Sequence, residues 1–168
     1  LDVTKAMKEL ASGGPVASQS EGVVSLLHSP DTVIHLVTLL EALPVQETAD
    51  AVAELNAADL KVATVIVNRA EPSLIDPATA ARAAQGEVDR DALAAGFASV
   101  GLNLSDADLD GLIAETVEHS AGLLSQEESA RTLDAVDVAR LRLPTLTDGI
   151  DRGALYELAS MLMDQGVR

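Results

Sequence analysis

The stretch KVATVIVNRAEP, Lys61 to Pro72, decides how the chain is read. Its first seven residues are nearly all apolar and rich in β-branched side chains, the pattern of a strand covered on both faces. The run breaks at Asn68 and Arg69, ahead of a loop that carries Pro72. Upstream, TVIHLVTLL at residues 32–40 is a second compact strand-forming run. Between the two, Pro44 suits the first position of a helix and Glu47 its first turn, where a carboxylate meets the positive end of the helix dipole. The helical pattern continues to about Ala58. Strand, helix, strand in this order predicts parallel neighbours in one sheet. The loops that follow them, residues 41–43 and 68–73, then share the edge where doubly wound sheets bind ligands.

Working outward, VARLRL at residues 138–143 reads as a third, weaker strand, followed by PTLTDG and a helix from about Asp151 to Gln165 that Gly166 stops. Toward the other end, EGVVSLLH (residues 21–28) reads as a short helix halted by Ser29 and Pro30, and SGGP at residues 12–15 as a loop. Residues 76–137 have helical spacing and frequent alanine. The chain is therefore expected to be α/β, part of a doubly wound, mostly parallel sheet. Residues 1–72 and 138–168 supply the sheet portion and residues 73–137 form a helical insertion. Between Glu71 and Asp137, fourteen acidic residues face three arginines, so eleven of the sixteen net negative charges lie in this region.

A chain of 168 residues fits one domain, and 48% hydrophobic with 1% aromatic residues means packing by Leu, Val, Ile and Ala. A net charge of −16 repels nucleic-acid backbones and anionic headgroups, which argues against either partner. The absence of cysteine excludes disulfides, thiolate chemistry and Cys-ligated zinc, and fits the cytoplasm. The longest apolar run, residues 33–40, contains His35 and falls far short of the ~20 residues that span a bilayer.

DADLDGLI, Asp106 to Ile113, matches the first eight positions of a calcium-binding EF-hand loop, with Val117 where the bidentate Glu belongs. The simpler reading makes Ser105 a helix N-cap with Asp108 as its reciprocal partner. His28, His35 and His119 show no metal-site spacing, and no GxxxxGK[ST], GxSxG or HExxH occurs. No metal ligand is expected on this basis. An asparagine at a strand exit is different. Its amide offers a donor and an acceptor side by side, matching the N6 and N7 edge of adenine, although taken by itself the simpler reading is that it caps a turn. LPTLTDG, at the exit of the third strand, could clamp the same ring, with Pro144 as a stiff wall.

HLVTLLEALPVQETADAVAELNAADLKVATVIVNRAEP (residues 35–72), taken with LRLPTLTDGIDRGALYELASMLMDQG (residues 141–166), resembles the carboxyl-terminal half of the arsenite-pump ATPase family. That family includes the tail-anchored-protein targeting ATPases, and the likeness is greatest to its actinobacterial anion-transporter branch. The resemblance implies a dimeric, cytoplasmic P-loop NTPase-like ATPase that binds ATP and magnesium. It implies that Asn68 reads adenine with Arg69 beside it, that Leu143, Pro144 and Thr145 border the base, and that Glu41 and Glu47 stand near the ligand edge. The phosphate loop, the magnesium-binding and water-positioning aspartates and the signature lysine would all precede Leu1. This chain is thus expected to hold no catalytic residue and to dock on an amino-terminal half, within a homodimer or a paralogous heterodimer. The zinc-binding CxxC of some members is absent. The competing expectation is a non-enzymatic acidic helical interaction module, with Asp106–Asp110 as a candidate calcium site. A DNA-partitioning relative is disfavoured, since backbone binding wants a basic patch.

Overall fold

The structure, a computed structural model, describes residues 15–146 and 149–167. The order is α1 (Pro15–Leu27), β1 (Ile34–Thr38), α2 (Ala42–Ala57), β2 (Val62–Ala70), α3 (Pro77–Ala84), α4 (Arg90–Ser99), α5 (Asp106–Asp134), β3 (Ala139–Pro144) and α6 (Arg152–Asp164). The three strands form one parallel sheet in the order β1-β2-β3. The α/β class and the parallel pairing of the first two strands agree with the sequence reading. Of the expected loop at residues 12–15, only Pro15 is described, and it opens α1. Residues 147 and 148 of the loop after β3 lie outside the described residues.

Three boundaries differ from expectation, the first being that α1 begins at Pro15, six residues before the expected Glu21. Helix α2 begins at Ala42, with Glu41 as an extended N-cap, so Pro44 is its third residue and Glu47 lies beyond the first turn. Pro44 is tolerated there because the first four N–H groups of a helix have no intrahelical acceptor to lose. Strand β2 continues three residues past Val67 and holds Asn68 and Arg69 within the strand, so Asn68 caps no turn.

Strand alternation sends Val65 and Val67 of β2 to one face. There they pack with Leu40, with Val45 and Val52 of α2, and with Leu133 near the end of α5. Leu133 therefore ties the long helix to the sheet. Leu141 and Leu143 of β3 are also buried, and α6 is the helix that packs against their strand.

The DADLDG segment is helix from its first residue. Ser105 Oγ accepts from the Asp108 N–H at 3.2 Å, and the Asp108 carboxylate accepts from the Ser105 N–H at 3.3 Å and hydroxyl at 2.6 Å. These Ser105 contacts hold the Asp108 carboxyl below its usual range. Asp106 and Asp110 meet the Arg90 guanidinium at 2.8 and 3.2 Å, pinning α4 to α5. The calcium expectation is thereby corrected. An EF-hand ligand set needs a loop that wraps the ion, whereas a helix points successive carboxylates away from a common centre. Among the described residues, no cluster of three or more His, Asp or Glu could hold a metal ion.

Candidate functional site at the carboxyl edge of the sheet

Parallel pairing brings the strand exits to one edge. Thr38 pairs with Val67, Val67 with Arg142, and Ala70 with Pro144. Between the last two pairs β2 advances three residues while β3 advances two, so β2 carries a bulge at Asn68 and Arg69. Arg69 sits at φ +52°, in the left-handed region. That conformation costs a non-glycine residue about 1–2 kcal/mol, and bulges of this kind commonly re-aim a side chain beside a binding site.

Beside the bulge lies a cavity of about 290 Å³ whose lining includes Leu40, Glu41, Arg69, Glu71, Gln126 and Thr145. Glu41 enters from the end of β1, Arg69 and Glu71 from the end of β2, Thr145 from the end of β3, and Gln126 from α5. The Thr145 hydroxyl donates to Glu71 Oε1 at 2.8 Å, and the Glu71 N–H donates to Gln126 Oε1 at 3.2 Å. One residue thus joins the exits of two strands to the long helix.

Of the residues singled out in the sequence, Glu41, Arg69 and Thr145 line this cavity. Asn68, Leu143 and Pro144 flank it on the two strands, with Asn68 half-buried and Leu143 buried. Alternation sends Asn68 to the face opposite Val67. Glu47 is exposed on α2 and is not part of the lining. Sequence reasoning missed Glu71 and Gln126. Glu71 lay inside the quoted loop, three residues past Asn68, but nothing local marks Gln126.

Two carboxylates and one guanidinium in the lining disfavour a phosphate, whose charge the carboxylates would repel. Hydroxyl and amino donors suit them better. The residues present therefore suit the hydroxyl and amino groups of a ligand and do not suit a phosphate.

No family model matches the chain. All 168 residues align with ATPase BagA of Mycobacterium tuberculosis (strain ATCC 25618 / H37Rv) at 55% identity, covering 49% of that protein. The chain is homologous to mycobacterial ATPases. Mb3704 of Mycobacterium bovis (strain ATCC BAA-935 / AF2122/97) and MT3781 of Mycobacterium tuberculosis (strain CDC 1551 / Oshkosh), both carrying a provisional ATPase name, match at the same identity and coverage. The chain spans about half the length of these curated relatives. Among the described residues, no helix is long and apolar enough to cross a membrane.

Proposed function

We propose that the chain is the base-binding portion of an ATP-hydrolysing ATPase of the arsenite-pump type, working in the cytoplasm. The bulge that carries Asn68 and Arg69, immediately before the Ala70–Pro144 pair, is the observation that supports this most directly. Asn68 supplies the paired donor and acceptor that match adenine. Arg69 stands beside it, and Leu143, Pro144 and Thr145 border the ring. Glu41 and Glu71 take sugar hydroxyls in the adjoining cavity. Phosphates and magnesium are held by the half of the ATPase that the relatives possess in addition to the segment matched by this chain. Two copies, or a copy and a paralogue, complete the enzyme. The segment between β2 and β3, with Leu74, Val100 and Leu102 exposed, provides a client or dimer surface.

The test is nucleotide selectivity in a protein of the relatives' full length that contains this chain. One bidentate base contact is worth about 1–3 kcal/mol, so Asn68→Ala should cut the preference for ATP over GTP by roughly 5- to 150-fold. An unchanged preference removes Asn68 from the site.

A further inference from the structure

A second cavity, of about 340 Å³, shares Leu40, Glu71 and Gln126 with the first and opens between the exit of β2, α3 and α5. Its floor is apolar. Leu40 and Ala80 are buried there, and Leu123, Leu124 and Ala130 are half-buried along α5. Polar groups stand at its rim, among them Arg142 of β3, Glu71, Gln126 and Glu127. An apolar hollow with a few convergent polar groups is the usual form of a small-molecule site, and this volume lies at the small end of the range for such sites.

The rim groups differ in what they have left to offer. Glu127 is paired with Arg131 at 2.8 Å, and Glu71 Oε1 already accepts from the Thr145 hydroxyl. Gln126 Oε1 accepts from the Glu71 N–H, which leaves the amino end of that amide with donors to spare. Arg142 pairs with Val67 and Arg140 with Val65, so both arginines lie on the face of the sheet that α5 covers. Arg140 is fully engaged. It donates to the Leu133 and Val136 carbonyls at 3.2 and 3.0 Å and meets Asp134 at 3.3 Å. Arg142, two residues on, forms no ion pair among the described residues.

The cavity thus combines a hydrocarbon-lined floor with donors at its rim, one of them a full positive charge. A guanidinium matches a carboxylate through parallel N–H groups. A phosphate suits this rim poorly, because Glu71 repels any negative charge beyond the one that Arg142 balances. We infer that the cavity binds a small aliphatic monocarboxylate, with the carboxylate on Arg142 and the Gln126 amide and the hydrocarbon chain against Leu40, Leu123 and Leu124. The site is built from this chain's own residues and does not depend on the ATPase reading.

Calorimetric titration of sodium octanoate into a protein of the relatives' full length that contains this chain tests it. Binding should be saturable, and shortening the acid to hexanoate and then butyrate should weaken it by about 3- to 4-fold per methylene. Arg142→Gln should weaken octanoate by about 10- to 100-fold. The same variant should bind octyl alcohol, which keeps the chain and lacks the charge, within about 2-fold of the parent, showing that the hollow is intact. Arg142→Lys, which keeps the charge and loses the fork, should recover part of the loss. Octanoate bound equally by the parent and Arg142→Gln, an affinity independent of chain length, or no saturable binding would each overturn the inference.

Discussion

Truncating Leu133 should do more damage than any other single side-chain loss on the long helix. It is 1% exposed, near the end of α5, and packs into the cluster formed by Leu40, Val45, Val52, Val65 and Val67. Four of these five neighbours are valines, whose branched side chains have little rotamer freedom with which to close a hole. Leu→Ala substitutions at such sites cost about 2–5 kcal/mol, and a stiff lining places this one at about 3 kcal/mol or above. For a chain of this size that lowers the melting temperature by about 6–12 °C. Urea denaturation followed by far-UV circular dichroism measures it, with Leu155→Ala as the control. Leu155 is also a helical leucine, but it is 57% exposed on α6, and its truncation should shift stability by no more than about 0.5 kcal/mol. A Leu133→Ala cost under about 1 kcal/mol, or one equal to that of Leu155→Ala, would refute the placement of α5 on the sheet core. It would also undo the Glu71–Gln126 contact that depends on that placement.

Arg69→Gly relieves the left-handed backbone strain, offset in part by the entropy of glycine, and should raise stability by roughly 0.5–1 kcal/mol while weakening nucleotide binding in the full-length protein. A loss of stability would show that the Arg69 side chain holds the bulge rather than serving a ligand. His28 gives a pH dependence. Its Nδ1 lies 2.9 Å from the Val24 carbonyl and its Nε2 lies 3.1 Å from the Ala58 carbonyl. Carbonyls only accept, so the doubly protonated ring alone makes both bonds. The contact with Val24 first, then that with Ala58, raises the pKa above the ordinary value of 6.5, and the charge on Asp59 adds to this. A raised pKa in the folded state means the stabilisation is complete below the unfolded value and is lost as pH rises through the folded one. The melting-temperature gap between the parent and His28→Ala should therefore be largest in mild acid and shrink in alkali. A gap that is flat or widens with pH would reject the clamp.

What the sequence alone determined was the local grammar. The apolar runs around Ile34–Thr38 and Val62–Val67 and the helical pattern between them follow from periodicity within a few residues. The Ser105–Asp108 capping box and the stop at Gly166 likewise depend on neighbours three or four positions apart. The parallel sheet followed from the order of those elements. The tertiary structure alone decided that β2 runs on through Asn68 and Arg69, because a bulge appears only once β3 sets the register. It also decided that Glu71 meets Thr145 and Gln126, partners 74 and 55 positions away, and that the Gln165 side chain meets the Arg142 backbone. Such contacts depend on which segments lie side by side, and a chain's local pattern carries information about its own turns and faces but not about the distant side chains that register brings beside them.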